Sequence, residues 1–230
     1  MSDDSQEQQE KIWTKTRYTR EGGGLEFDRV ANFADAIYAI ALTLIVVGIE
    51  VPTLTDQTSS SELLEKLNDL LPSIITFFIV FFVVGNYWLA HHRFIGWLRT
   101  VDSRLMRIHL VYLSVIAFLP FPAALLGTLD DNAVALAIFA LAMATASLLE
   151  TVMIGHVHRA GLMKEPLSES AYRWERLSSL VPVGVFLLSV PLAFVSVWLA
   201  IAFWFLNAVL EFVLNRSRPD EFGGPTGHSR

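Results

Sequence analysis

Six long apolar blocks divide the chain, and charged residues almost disappear inside them. The blocks cover residues 30–49, 72–92, 105–126, 133–155, 177–194 and 197–214. Each is close to the roughly 20 residues that an α-helix needs to cross about 30 Å of hydrocarbon. The pattern therefore predicts an all-α integral membrane protein, a six-transmembrane-helix bundle with a single repeat per subunit.

The fifth and sixth blocks adjoin each other, so they could be one long helix or two separate crossings. From Leu177 to Leu214 the chain is far too long for one crossing at about 1.5 Å per residue. Pro191 is the expected position of the break, because proline removes a backbone donor and clashes with the preceding turn. Pro120 and Pro122 similarly predict a kink in the third block. In the loop 53–70, Ser60 or Ser61 is expected to cap a short amphipathic helix.

The distribution of positive charge predicts how the helices are oriented. Sixteen of the 17 Lys and Arg residues fall in four segments that six crossings place on one side, and Lys66 alone falls on the other. These segments are the N-terminus, the second-to-third and fourth-to-fifth connections, and the C-terminal tail. The positive-inside rule predicts a multi-pass protein of the cell membrane with both termini cytoplasmic. The clusters are short and dispersed, so nucleic acid is not an expected partner.

The same patterns divide the chain into three parts. Residues 1–28 are predicted to be a cytoplasmic polar N-terminal segment that ends in a flexible glycine hinge at Gly22-Gly23-Gly24. Residues 29–214 form the six-transmembrane-helix domain. Residues 215–230 are expected to be a disordered cytoplasmic tail.

Two acids, Asp35 and Glu150, lie more than one helical turn inside predicted spans, where a carboxylate is costly unless it is paired or faces water. Asp35 is read as a packing or first-turn residue, as part of a polar network that positions the first helix, or as an ion-binding group. Arg29 is a candidate partner for it. Glu150 has no partner evident from the sequence, and a structural pairing is favoured for it.

The residues give no indication of an enzyme. The chain has no cysteine, and it lacks a phosphate loop, a nucleophile elbow and a zinc-protease helix. His91 and His92 point about 100° apart on a helix, so interface hydrogen bonding is favoured over a metal site for these and the other histidines near that side. We therefore expect no catalytic residues, no metal and no cofactor.

Within the first block, Ile40, Leu44 and Val47 have the spacing i, i+4, i+7 of one helical stripe, and Thr43 lies beside it. Every side of this helix is apolar, so periodicity alone singles out no face. The stripe by itself indicates helix packing or lipid contact.

The segment from Arg29 through Phe33-Ala34-Asp35 to Thr43-Leu44 resembles the opening helix of the transmembrane protein 175 family. This family comprises the endosomal–lysosomal potassium channel and its prokaryotic relatives. Similar pieces follow at Trp88 with His91-His92-Arg93-Phe94, at Leu119-Pro120-Phe121-Pro122-Ala123, and from Pro191 to Trp198. The resemblance covers about residues 27–214. The chain departs from the family pattern in three places. Ala34 replaces a serine, Ala36 replaces a residue that is often glycine, and the usual acidic-apolar-basic end of the helix reads Gly48-Ile49-Glu50.

The resemblance implies a tetramer that conducts potassium through a pathway lined by the first helix. By that analogy Ile40 forms the innermost constriction, with Leu44 and Val47 above it, and Thr43 supports selectivity. The pore helix would be held by a polar network. Glu50, by contrast, is a departure that would leave an acidic outer mouth where relatives carry lysine. The residues matching that network are Arg29, Asp35, Trp88 and His92.

The expected function is thus a tetrameric, potassium-permeable cation channel with a hydrophobic constriction formed by the first transmembrane helix. Its expected partners are K⁺ as the permeant ion, the lipid bilayer and further copies of itself. The alternative is a proton-permeable pathway or an ion-coupled transporter that uses the intramembrane acids Asp35 and Glu150 with the histidines. A third possibility is a membrane scaffold or membrane-embedded enzyme that does not conduct.

Overall fold

The computed structural model describes residues 17–56, 59–129 and 131–216. In these ranges the elements are β1 (Arg17–Thr19), α1 (Arg20–Ile45), a 3₁₀ turn (Val46–Gly48), α2 (Ser60–Asp69), α3 (Leu71–Trp97), β2 (Thr100–Asp102), α4 (Ser103–Phe118), α5 (Pro120–Thr128), α6 (Ala133–Ala160), α7 (Glu169–Ala193) and α8 (Val197–Asn215). Six stretches are long and apolar enough to cross a membrane: Phe27–Gly48, Leu71–Trp97, Ser103–Thr128, Ala133–Ala160, Glu169–Ala193 and Val197–Leu214. The predicted all-α, six-helix membrane fold is confirmed.

Successive crossings place the helix ends alternately on two sides of the bundle. The start of α1, the end of α3 and the end of α8 share one side, which we call the basic side. Among the described residues, every Lys and Arg except Lys66 lies in a connection or near a helix end on the basic side. Lys66 lies in α2, in the connection on the opposite side.

The third crossing is divided, as its prolines predict. α4 ends at Phe118 and α5 begins at Pro120, with Leu119 between them. Proline is tolerated at the first position of a helix because the N–H there has no partner within the helix. A new helix therefore starts at Pro120 where a continuous one would have lost a hydrogen bond.

The predicted break at Pro191 is wrong, because α7 continues through it to Ala193. The separation comes at Ser196, whose hydroxyl accepts the backbone N–H of Leu199 at 3.3 Å and so caps α8. α7 also begins earlier than the predicted residue 177, since Ser168 caps it by accepting the N–H of Ala171 at 3.2 Å. Hydropathy marks where a helix becomes apolar, whereas the cap decides where the helix begins.

The loop before α3 contains the predicted short helix, but its cap is Ser59, not Ser60 or Ser61. The Ser59 hydroxyl accepts the N–H of Glu62 at 3.3 Å. In return, the Glu62 carboxylate accepts the backbone N–H groups of Thr55 at 2.8 Å and Asp56 at 3.1 Å. These two donors lower the pKa of Glu62. The carboxylate thus folds the loop back onto the start of α2.

The N-terminal segment differs from its prediction. α1 begins at Arg20 and includes Gly22–Gly24, so the glycines expected to form a hinge are helical in the structure. Before them, β1 pairs antiparallel with β2, with Arg17 opposite Asp102 and Thr19 opposite Thr100. This ribbon connects the start of α1 to the α3–α4 connection. Residues 1–16 and 217–230, which include most of the predicted disordered tail, lie outside the described residues.

Asp102 ties the basic-side ends of two crossings together. Its carboxylate caps α4 by accepting the N–H of Leu105 at 2.7 Å, and it lies 2.9 Å from Nε2 of His156 on α6. Burial alone would raise the pKa of Asp102, but the Leu105 N–H and the His156 ring together outweigh burial and hold the pKa below its usual value. The ionised carboxylate therefore fixes the start of α4 against α6.

At the opposite side, the end of α1 packs very closely on α5. A Cβ added to Gly48 would lie 2.7 Å from the Ala124 Cβ and 3.1 Å from its Cα. Backbone and a short side chain cannot move away as a flexible side chain could. Gly48 therefore permits a contact that holds the 3₁₀ turn at the end of α1 against the helix that follows the proline break.

We predict that Gly48→Ala destabilises the fold by about 1–3 kcal/mol, the usual cost of overpacking. The matched control is Gly184→Ala on α7, where an added Cβ meets nothing within 4 Å and a helical alanine is favoured over glycine. Thermal unfolding in detergent, followed by circular dichroism, compares the two variants with the parent chain. Equal midpoints for Gly48→Ala and Gly184→Ala would contradict this close contact.

Candidate functional site

One face of α1 is packed into the bundle. Ala34, Tyr38, Ala41 and Ile45 are each nearly fully buried, and their spacing of three and four residues describes a single helical stripe. They pack against α3, α4 and α5. The structure thus distinguishes the faces of α1, which the all-apolar sequence of this helix did not.

The other face carries what we call the exposed stripe, namely Phe33, Ile40, Thr43, Leu44 and Val47. Within the subunit Ile40 is 58% exposed and Val47 is 71% exposed. The predicted pore residues therefore share one face. Phe33, seven residues before Ile40, belongs to the same stripe and was not singled out from the sequence. Its signal was present, because positions seven apart lie nearly above one another on a helix.

Thr43 supplies the polar group of the exposed stripe. Its hydroxyl donates to the backbone carbonyls of Ala39 at 3.0 Å and Ile40 at 2.9 Å. Because its one hydrogen is directed at the helix backbone, the oxygen offers its lone pairs to whatever lies beside the stripe. An oxygen in this state is an acceptor, which suits a cation better than an anion.

Asp35 is held by the neighbouring helix. Its Oδ1 accepts the indole N–H of Trp88 on α3 at 2.9 Å. The His92 ring lies next to the Trp88 ring, with centroids 5.6 Å apart. Arg29 is exposed, and the described residues give it no hydrogen bond or ion pair. The structure thus brings three of the four predicted network residues together in one subunit and leaves Arg29 apart.

Glu50 lies just beyond the 3₁₀ turn that follows α1, in extended chain, and is exposed. It stands at the end of the exposed stripe that is opposite to the basic side. An outer acidic rim at this point remains a prediction.

A buried cluster behind α1 was not foreseen. Tyr38 and Tyr112 share a hydrogen bond between their hydroxyls at 2.5 Å, and His91 stacks on His109 with ring centroids 4.9 Å apart and Nε2 atoms 3.2 Å apart. Interface hydrogen bonding was expected for these histidines, and the structure corrects that expectation. The residues Val80, Val84, Tyr87, His91 and Phe94 share the buried face of α3. His91 therefore lies on the face of α3 that packs into the bundle, whereas the next residue, His92, is exposed.

The second intramembrane acid lies away from α1. Glu150 on α6 makes no hydrogen bond or ion pair with any residue that the structure describes, and it lines a groove bordered by α3, α7 and α8. Among the residues that the structure describes, no hydrogen bond joins Glu150 to Asp35. The described residues also contain no group of three or more His, Asp or Glu side chains arranged to hold a metal.

Comparison with known proteins gives a consistent group of relatives. The model of a family described as the endosomal/lysosomal potassium channel TMEM175 matches residues 29–120. A potassium channel of Streptomyces collinus is 32% identical over 182 residues, which are 77% of this chain and 87% of the relative. The crystal structure of a lysosomal potassium-selective channel TMEM175 homologue from Chamaesiphon minutus aligns with a TM-score of 0.69 and 25% identity, covering 80% of this chain and 95% of that one.

A more distant relative carries a different activity in its name. The rat endosomal/lysosomal proton channel TMEM175 is 22% identical over 158 residues, and the match covers 68% of this chain and 31% of the rat protein. The named relatives are channels and not enzymes, in agreement with the absence of an enzyme signature in the sequence.

We predict that Trp88→Phe lowers the free energy of unfolding by about 1–3 kcal/mol, because the half-buried Asp35 carboxylate loses a donor. Asp35→Asn should cost less, since the amide oxygen can still accept the indole N–H. The matched control is Trp198→Phe at an exposed position of α8. Denaturant or thermal unfolding in detergent measures all three, and a Trp88→Phe loss no larger than that of Trp198→Phe would refute the contact's importance.

Proposed function

Since the chain belongs to the TMEM175 family, we propose that it is a potassium-permeable cation channel in which four identical subunits surround a pathway lined by α1. The relatives named as potassium channels match most of this chain, and the matching family model spans residues 29–120, which include α1 from Arg29 onward. The observation that carries the proposal is the exposed stripe. It gives α1 an unpacked apolar face that fourfold assembly would turn toward a common axis.

The proposed location is the cell membrane, with both termini cytoplasmic. Support comes from the basic side, which holds the four Lys- and Arg-rich segments of the sequence, whereas the opposite side holds Lys66. This asymmetry is the pattern that sets orientation during insertion. With this proposed orientation, Glu50 would lie at the outer end of the pathway and Arg29 at its inner end.

The exposed stripe has the composition of a constriction and not of a coordination filter. Ile40, Leu44 and Val47 are branched and apolar, and four copies of each would form successive rings. Hydrophobic rings restrict flow because water leaves a narrow apolar pore, and this dewetting gates some channels. Ile40 is the proposed narrowest ring, because it is the first large side chain of the stripe above the small residues Ala36 and Ala39.

Two oxygen-bearing residues give the proposed pathway a preference for cations. Thr43 presents an acceptor oxygen between the Ile40 and Leu44 rings. Glu50 would place a ring of carboxylates at the outer mouth, which raises the local concentration of cations. Apolar rings provide no ligands that replace the hydration shell, so we expect discrimination between K⁺ and Na⁺ to depend on Thr43 and on pore width.

The polar contacts behind α1 are proposed to set its rotation. Asp35 is bonded to Trp88 on α3, and Tyr38 is bonded to Tyr112 on α4. Two bonds to two different helices, on the side away from the exposed stripe, resist turning of α1 about its axis. Arg29 lies at the inner end of the same helix without a partner among the described residues of its own subunit. We propose that it pairs with a neighbouring subunit.

Proton permeation is the second candidate function. It is favoured by the rat relative, which is named as a proton channel. Asp35 bonds to Trp88 behind α1, whereas Glu150 lines the groove bordered by α3, α7 and α8, so the two acids lie in different parts of the bundle. A flux assay that reads K⁺ and internal pH in the same liposomes separates the two activities.

We predict that Ile40→Asn raises K⁺ flux into liposomes by about tenfold, equivalent to about 1.4 kcal/mol in the barrier. The polar amide would keep water in the constriction, and the same change should weaken discrimination between K⁺ and Na⁺. The matched control is Leu148→Asn, a change of similar size on α6 at a residue that is 49% exposed. The control should leave both quantities unchanged.

The proposal fails if Ile40→Asn and Leu148→Asn give the same flux and the same K⁺ to Na⁺ ratio. Light scattering of each purified variant establishes whether four subunits are present before the flux is compared. A monomeric parent protein that still conducts would equally contradict a pathway shared by four copies of α1.

A further inference from the structure

A groove separate from the exposed stripe opens between α3 on one wall and α6, α7 and α8 on the other. Its volume is about 600 Å³, within the range of about 300–1,000 Å³ that is usual for small-molecule sites. It lies inside the membrane-spanning part of the bundle. The proposed pore does not use it.

The groove changes in character along the membrane normal. Toward the side opposite to the basic side its walls are aromatic and aliphatic, with Phe78, Phe82, Phe186, Ile201 and Phe205. Toward the basic side the lining residues that the structure describes include the charged groups Arg93, Glu150, Glu175 and Glu211. A molecule that fills it would therefore need an apolar tail and a polar head, with the head directed to the basic side.

The polar end contains one exposed ion pair and one deeper acid. Among the described lining residues, Arg93 lies 3.8 Å from Glu211, with both side chains more than half exposed. An exposed pair of this kind contributes little. Glu150 sits deeper, about two to three helical turns from the basic-side end of α6. A carboxylate at that depth is costly, and Glu150 has no hydrogen-bond or ion-pair partner among the described residues, so an arriving cation would offset that cost.

Two further oxygens at the depth of Glu150 support the same conclusion. Ser178 Oγ and Asn207 Oδ1 line the groove, are buried, and have no hydrogen-bond partner among the described residues. Buried polar atoms are usually paired. The Asn207 oxygen and the Glu150 carboxylate can only accept, and the Ser178 hydroxyl can accept as well as donate, so a group with several N–H donors would satisfy all three.

We propose that this groove binds an amphiphile with a primary ammonium head and a single apolar tail. The head donates to Glu150, Asn207 and Ser178, and the tail lies along the phenylalanines of α3, α7 and α8. An ammonium group has three donors and no acceptor, which matches an acceptor set better than a carboxylate or a neutral hydroxyl head does. The site is independent of the proposed pore, so it stands or falls by its own test.

The test uses the purified full-length protein in a neutral maltoside detergent and a bromoalkylamine as the probe. Bromine quenches tryptophan fluorescence on contact, and Trp97, Trp174 and Trp204 line the groove. The bromoalkanoic acid and the bromoalkanol of the same chain length are the matched probes. We expect the amine to reach half-maximal quenching at a concentration about tenfold lower than either.

Variants then assign the binding to the groove. Glu150→Gln and Glu211→Gln should each raise the half-maximal amine concentration several-fold, and the exposed position of Glu211 keeps the second variant foldable. Glu65→Gln, an exposed acid on α2 in the connection opposite to the basic side, should leave it unchanged. Equal quenching by amine, acid and alcohol, or no saturable quenching at all, would overturn the proposal. So would an amine affinity unaffected by both groove variants.

Discussion

The rotation of α1 about its own axis is the constraint on which the rest of the molecule depends. The sequence of this helix is apolar on every side, so hydrophobicity does not determine which face turns inward. Specific contacts do: Ala34, Tyr38, Ala41 and Ile45 pack into the bundle, and Asp35 and Tyr38 bond to α3 and α4. With those residues fixed, the exposed stripe of Ile40, Leu44 and Val47 has one possible direction.

The supports of α1 act at three heights and by three kinds of interaction. At the basic side, β1 pairs with β2 and attaches the start of the helix to the α3–α4 connection. In the middle, the hydrogen bonds that join Asp35 to Trp88 and Tyr38 to Tyr112 fix its angle. At the far end, Gly48 allows the 3₁₀ turn to approach Ala124. A helix held in this way is suited to present bulky side chains at a constant radius, which a constriction of fixed width needs.

The number of crossings and their sidedness could be predicted because they follow from local sums of hydropathy and charge. Helix ends were harder to predict, because Ser59, Ser168 and Ser196 begin their helices by capping a backbone N–H, and hydropathy does not report such a contact. The burial of His91 could not have been predicted from its spacing with Val80, Val84 and Tyr87, because α3 is apolar on most of its sides. The groove could not, because it arises from the separation of α3 from α8, which no segment encodes alone. The contact of Asp35 with Trp88 agrees with the family resemblance. The resemblance also placed Arg29 in this network, but the described residues of one subunit give Arg29 no partner.

The absence of cysteine from the chain makes a direct test of the orientation of α1 possible. Leu44→Cys places a single thiol on the exposed stripe, and Leu187→Cys places one on α7 at a residue with the same 46% exposure. Ag⁺ is a monovalent cation that enters cation pathways and binds thiolate strongly. The account predicts that Ag⁺ reduces K⁺ flux by about tenfold or more in Leu44→Cys liposomes and leaves Leu187→Cys unaffected. Undiminished flux through Leu44→Cys, with the thiol shown to be silver-bound, would contradict the placement of this stripe along the ion pathway.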